Sequence, residues 1–229
     1  MNLPVGTGLP SITTDQMREV DRVMVEDLHV ELPQMMENAG RNLALLATLR
    51  FAPGTVTVLA GPGGNGGGGL AAARHLANRG IDTTVVLHRE RLAAAPSHQA
   101  DIVRRMGIAI EADPPTADLV IDAVLGYGVS GDPRGRAAEL IAWANAQDSP
   151  ILSLDGPSGL DLTTGAAGTP TAEATATMTL ALPKQGLEAR PDLVGELYLA
   201  DISVPPDVYR AFGIDLEDPF SEAPIVRLA

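Results

Sequence analysis

The chain contains no cysteine, one lysine, four histidines and few aromatic residues (3%). Without cysteine it can form no disulfide, no thiolate nucleophile and no zinc–thiolate centre. The histidines, His29, His75, His88 and His98, are too scattered for a tight metal cluster. Positive charge is scarce as well. With 29 acidic residues against 16 basic, the net charge is −13, and no basic stripe is available to follow a nucleic-acid backbone. No apolar run approaches the ~18 residues of a membrane span. The N-terminal stretch Met1-Asn-Leu-Pro-Val-Gly6 has neither the basic region nor the apolar core of a signal peptide. Neither a nucleic acid nor a membrane is expected as a partner, and the expected location is the cytoplasm. What remains is a globular composition, 45% hydrophobic and 20% charged, over 229 residues, a length that suits one large α/β domain.

Along the chain, helical and strand patterns alternate. Thr13-Thr14-Asp15-Gln16 offers N-cap residues for a helix whose Met17, Val20, Met24 and Leu28 share one face. The segment from His29 to Pro33 breaks that helix, and Pro33 opens a second one to about Leu49, with Met35, Met36, Leu43 and Leu46 inward. Glu37 and Asn38 on this helix are less easily explained as packing. The β-branched run from Thr55 to Leu59 ends in Gly61-Pro-Gly-Gly-Asn65-Gly-Gly-Gly-Gly69, which reads as a loop, with a helix following from Leu70 to about Arg79. Further strands are expected at 82–88, 107–110, 117–125, 150–155, 175–182 and 195–202, helices at 96–106 and 136–146, and then a proline-rich tail. The alternation predicts right-handed βαβ crossovers and a three-layer α/β fold around a mostly parallel sheet. In this reading residues 1–229 form one domain: helices within 13–50, an α/β core over 54–202 and a tail over 203–229.

Strand, glycine loop, helix is the arrangement that points backbone N–H groups and the positive end of a helix dipole at an anion. Gly61-x-Gly63-x-x-Gly66 also matches the dinucleotide fingerprint, with Glu90 at the end of the next strand. In an open α/β sheet ligands bind at the carboxyl ends of the strands. Two more unusual loops occur at such ends, one from Gly126 through Arg134 to Gly135 and one from Asp155 to Asp161. The polar residues Asn65, Asp122, Asp155 and Ser158 would then converge at one edge. Oxygens of Asn65, Asp122 and Ser158, with loop carbonyls, suit a hard cation of modest charge. Lys184 is the one lysine in a chain whose other fixed positive side chains are all arginine. An aspartate and this lysine facing one pocket would serve as an acid/base pair.

Six stretches stand in order along nearly the whole chain: Met36-Glu-Asn-Ala-Gly40, the glycine run 61–69, Asp122-Ala-Val-Leu-Gly-Tyr-Gly128, Asp155-x-Pro-Ser-Gly-Leu-Asp161, Pro183-Lys184 and Gly195-Glu-Leu-Tyr-Leu-Ala-Asp-Ile202. The series resembles the YjeF N-terminal domain family, whose characterised enzymes are NAD(P)H-hydrate epimerases. The resemblance implies a Rossmann-like three-layer fold and a homodimer. It implies interconversion of the R and S epimers of hydrated NADH or NADPH, a damage product of the nicotinamide ring, with a separate NAD(P)H-hydrate dehydratase as functional partner. By the same resemblance a potassium ion is held by Asn65, Asp122 and Ser158, and Asp155 and Lys184 are the catalytic pair. The dinucleotide is bound by Gly63, Gly64, Asn65, Gly66, Gly67 and Gly68 in the first loop. Gly126, Tyr127, Gly128, Val129, Arg134 and Gly135 bind it in the second.

The family's first loop usually reads Gly-Pro-Gly-Asn-Asn-Gly-Gly-Asp-Gly. Here Gly64 replaces the first Asn and Gly68 the Asp, which removes a carboxylate and predicts a less preorganised loop. Tyr127 stands where a small hydroxyl residue is commoner. Two other functions fit parts of the sequence. One is a non-catalytic nucleotide-binding or scaffold module of the same fold, which the lost Asp fits and the retained Asp155, Ser158 and Lys184 do not. The other is an NAD(P)-dependent dehydrogenase reading an adenosine ribose phosphate with His88 and Arg89 and a hydroxyl with Glu90, but no Tyr-x-x-x-Lys hydride-transfer pair is present.

Overall fold

The computed structural model describes residues 3–128 and 131–229. A two-residue strand, β1 (Val5–Gly6), precedes helix α1 (Thr14–Arg22). Thr13 caps α1 reciprocally with Gln16: the Thr13 hydroxyl accepts from the Gln16 N–H, and the Gln16 side chain accepts from the Thr13 N–H. The helix widens into one π turn, Val23–Asp27, and stops near His29, whose φ is +55°. Met17, Val20 and Met24 are buried as their spacing predicts, whereas Leu28 lies past the turn and is exposed. Helix α2 (Leu32–Phe51) carries Pro33 in its first turn, where a missing N–H costs nothing.

The remaining elements are β2 (Thr55–Ala60), α3 (Gly64–Ala77), β3 (Asp82–Leu87), α4 (Ala94–Arg105), β4 (Ala109–Glu111), β5 (Leu119–Ala123), α5 (Arg136–Asn145), β6 (Ile151–Leu154) and β7 (Ala176–Leu180). They are followed by two single-turn helices, α6 (Gln185–Glu188) and α7 (Pro191–Val194), then β8 (Glu196–Ala200), α8 (Pro206–Arg210) and β9 (Ile225–Leu228). The strands form one sheet in the order β1-β9-β8-β7-β6-β5-β2-β3-β4, parallel throughout except where β9 runs against β8. The proline-rich tail thus returns to the sheet: Ile225 and Val226 are buried beside β8.

Side chains of β2 alternate between the layers. Val56, Val58 and Ala60 join the core under α2, α3 and α4, while Leu59 joins the one under α5. From β2 the chain builds outward to β3 and β4 on one side and to β5 through β8 on the other. The strand order therefore reverses between β2 and β5, and a crevice opens there at the carboxyl ends.

The structure corrects the reading of the glycine run. Helix α3 begins at Gly64, not Leu70, so Gly66 through Gly69 are buried helical residues. Glycine is a poor helix former, but packing overrides that preference. A Cβ on Gly69 would lie 2.6 Å from the Cβ of Ala123, and one on Gly40 of α2 would lie 2.5 Å from the Cβ of Ala71. Without side chains α3 settles directly onto β5 and α2. From Gly64 onward the run is a packed helix start rather than a loop.

Candidate active site

The connection from β2 to α3 is three residues, Gly61, Pro62 and Gly63, lying beside the segment that follows β5. A cavity of about 490 Å³ opens between them, inside the size range of small-molecule sites. Its walls are mainly apolar, with Met35, Met36 and Ala39 from α2 and Leu154 from β6, and its polar side chains are few: Arg18, Asp21, Asn65, Tyr127 and Asp155. Gly63 caps α3 without a side-chain bond. The N–H groups of the helix's first turn have no carbonyl partners and, with the dipole, form an anion cradle at the mouth.

Of the residues expected to bind the dinucleotide, Gly63, Gly64, Asn65, Gly68, Gly126, Tyr127 and Gly128 line this cavity. Gly66 and Gly67 do not. They are buried inside α3, where added Cβ atoms would run into the Gly61 carbonyl and the Met36 side chain. Arg134 and Gly135 are exposed and outside the cavity wall, Gly135 capping α5. Val129 lies outside the described residues. At Gly68 a Cβ would approach Leu154 Cδ2 to 2.7 Å. Leu154 therefore occupies the space into which a longer residue would project, and this part of the wall is apolar.

Asp155 follows β6 with φ +67°, a left-handed conformation that aspartate tolerates better than most residues. It is 4% exposed and reaches the cavity. Behind it, Lys184 is wholly buried and outside the cavity wall. The Lys184 ammonium donates to Asp155 Oδ1 (2.5 Å), the Leu180 carbonyl (2.8 Å) and Thr179 Oγ1 (3.3 Å). All three ammonium donors are used. The two residues are brought together as expected, but in series: the carboxylate faces the ligand space and the lysine faces the carboxylate.

Asp122 ends β5 and is 1% exposed. Its carboxylate accepts from the Ser158 hydroxyl (2.5 Å) and N–H (2.8 Å), the Ser153 hydroxyl (2.9 Å) and the Val124 N–H (3.3 Å). Burial pushes the carboxyl above the usual carboxylate range, against the pull of these hydrogen bonds. Ser158 Oγ also accepts from the Leu125 N–H (2.8 Å), and Asn65 Nδ2 donates to the Leu125 carbonyl (2.9 Å). Asn65, Asp122 and Ser158 thus gather around one backbone segment. Among the described residues, no cationic side chain bonds Asp122. No group of three or more His, Cys, Asp or Glu among them could hold a metal. An oxygen-rich site with one uncompensated carboxylate fits a monovalent cation better than a transition metal.

Two features were not foreseen in the sequence. Glu37 bonds Arg74 and His75 Nε2 (2.8 Å), clamping α2 to α3. Asp21 of α1 lines the cavity and accepts a hydrogen bond from the Tyr127 hydroxyl. The signal for Asp21 was available: it is an acid among Met17, Val20 and Met24, on the stripe that packs inward.

The sequence profile described as YjeF-related protein N-terminus matches residues 32–186. The chain is 44% identical over 234 residues to the NAD(P)H-hydrate epimerase of Dehalogenimonas lykanthroporepellens, covering 97% of this chain and 94% of that protein. It is 35% identical to the NAD(P)H-hydrate epimerase of Rhodopirellula baltica, over 90% of this chain and 89% of that one. It is 40% identical to the bifunctional NAD(P)H-hydrate repair enzyme of Hyperthermus butylicus, over 80% of this chain but 36% of that longer protein. A crystal structure of the yeast protein ynu0 shares the fold with a TM-score of 0.83 at 24% identity, covering 96% of this chain and all of that one.

Proposed function

The chain belongs to the YjeF-related N-terminus family, and on that premise we propose that it is an NAD(P)H-hydrate epimerase, interconverting the R and S forms of hydrated NADH or NADPH. The observation that carries the reading is the Asp155–Lys184 pair at the cavity: a carboxylate that reaches the ligand space, fixed from behind by an ammonium that does not.

In a hydrated dihydronicotinamide the added hydroxyl sits on the carbon beside the ring nitrogen. Inverting that carbon requires its C–O bond to break and to re-form on the other face, with the nitrogen's electron pair stabilising the cation between. Asp155 is placed to give a proton to the departing hydroxyl or to take one from the incoming water. Lys184 balances the carboxylate's charge and fixes its orientation through a charge-assisted bond. The open end of α3 binds the dinucleotide phosphates. The methionine-lined wall takes the nicotinamide ring and keeps bulk water from it.

Asn65, Asp122 and Ser158 would hold a potassium ion, which would offset the buried charge of Asp122 and steady the Leu125 segment. The same reading makes the protein a homodimer acting beside a separate NAD(P)H-hydrate dehydratase. The test is exchange between purified R and S hydrates, followed by NMR or chromatography with and without potassium. Exchange far faster than in buffer, abolished by Lys184→Ala, is expected. Exchange no faster than in buffer, with a dinucleotide still bound, defeats the reading and leaves a binding module.

A further inference from the structure

Epimerisation has to be served on both faces of the ring, and Asp155 approaches the cavity from the sheet alone. Helix α1 brings a second carboxyl to the same space. Asp15, Glu19, Glu26 and Asp27, along α1 and its π turn, are paired with Arg18 or Arg22 at the surface. Asp21 instead turns into the cavity, where its partner is the Tyr127 hydroxyl from the segment after β5. That bond ties α1 across to the second loop.

The helix is anchored to the strip that carries Lys184. The Ile12 N–H donates to the Pro183 carbonyl (2.8 Å), the Gln185 N–H donates to the Ile12 carbonyl (3.1 Å), and Thr14 and Thr163 bond through their hydroxyls (2.8 Å). The strip that carries Lys184 therefore touches both the start of α1 and the Asp155 carboxylate.

We propose that Asp21 is a second catalytic carboxyl of this site, serving the face of the nicotinamide ring turned toward α1 while Asp155 serves the face turned toward the sheet. The role rests on the epimerase reading. One carboxyl gives its proton to the hydroxyl as the C–O bond breaks, water leaves, and the nitrogen pair forms the C=N bond. The other carboxylate takes a proton from a water whose oxygen adds to the same carbon on the opposite face, returning the pair to nitrogen. One water departs, one enters, and one proton passes through the pair, so no oxidant or reductant is needed.

The electrostatics agree with a proton shared in this way. Burial pushes the Asp21 carboxyl above the usual carboxylate range, and the charge of Asp155 adds to this, while the Tyr127 hydroxyl and Lys184 pull the other way. Arg18 lies over the Tyr127 ring at 6.0 Å, and Tyr209 also feels the Asp21 charge.

The test is Asp21→Asn, which keeps the size of the side chain and an acceptor for Tyr127, measured beside Asp21→Glu and Tyr127→Phe in the intact protein. Asp21→Asn should lower kcat for hydrate exchange at least ~100-fold, the usual worth of a general acid/base. Its KM and Tm should stay near wild type, and Asp21→Glu should recover part of the loss. Tyr127→Phe removes the hydroxyl that steadies the carboxylate, so the alkaline limb of the pH profile should move to higher pH. A kcat within ~3-fold of wild type in Asp21→Asn overturns the role, as does a loss confined to KM and Tm or an unmoved limb in Tyr127→Phe. Absence of exchange in the wild type removes the proposed activity and this role together; exchange that survives Asp21→Asn removes the role alone.

Discussion

Asp122 and Asp155 stand at the carboxyl ends of neighbouring strands, β5 and β6, and both are almost fully buried, yet their charges are met in opposite ways. Asp155 has the chain's one lysine against it, with every ammonium donor engaged. Asp122 has four neutral donors and, among the described residues, no bonded cation. Covalently supplied charge is permanent and sits where the carboxylate must keep one orientation toward the ligand. The proposed potassium ion at Asp122 would instead supply a charge that can be gained and lost. The largest effect should come from making Asp155 resemble Asp122. Lys184→Met leaves a buried carboxylate without its cation, which typically destabilises by ~3–5 kcal/mol, and hydrate exchange should vanish with it. Urea unfolding of Lys184→Met, Asp155→Asn and the double variant completes the cycle. The double variant should be more stable than Lys184→Met alone, because its remaining side chain is neutral. If Lys184→Met unfolds like wild type, the lysine does not offset a buried charge on Asp155.

The converse change is Asp122→Asn. On the proposed potassium site, replacing potassium by a large organic cation should lower wild-type stability by about 1.4–2.7 kcal/mol for an ion that had been present at 10 to 100 times its Kd. Asp122→Asn should abolish that dependence while keeping the fold. A pH signature goes with it. Burial raises the Asp122 carboxyl, so the folded chain holds the proton more tightly than the unfolded chain. Without potassium, stability should therefore fall as pH rises from ~4 through the raised value, and recover as pH drops. Thermal melts across that range should show the slope in the wild type and not in Asp122→Asn. Equal slopes would mean that another group carries it.

This asymmetry was only half legible in the sequence. A lone lysine and an aspartate at a strand end point to each other because both residue types are out of place where they stand. Which of the two strand-end aspartates receives the lysine depends on the left-handed turn at Asp155 and on Ala181–Lys184 folding back under it, neither of which has a pattern in one dimension. The layers and the crevice followed from alternation and from the order of the loops. The glycine run did not, because propensity speaks of an isolated helix and α3 is held by α2 and β5. Asp21 was overlooked because Met17, Val20 and Met24 marked its face of α1 as core. Strands of two and four residues at the chain ends carry too few side chains to show a period.

A more exposed ion pair sets the lower bound for the comparison. Glu196 of β8 bonds Arg50 of α2 through both oxygens, at 2.8 and 2.9 Å, and also accepts from the Tyr198 hydroxyl (2.5 Å). The Arg50 guanidinium, with Tyr198, holds the Glu196 carboxyl down to about 2. Its geometry is better than that of Lys184 on Asp155, but the side chains are 41% and 28% exposed, so water and salt screen the attraction. A depressed acid contributes stability above its unfolded value of ~4.3, and that contribution is lost as pH falls toward the folded value. After discounting for exposure, the pair should be worth no more than ~0.5–1 kcal/mol. Arg50→Gln should thus cost about that much at pH ~6 and almost nothing once the carboxyl is protonated, read as the change in urea midpoint. A loss as large as that of Lys184→Met would mean that geometry, and not burial, ranks the ion pairs of this protein.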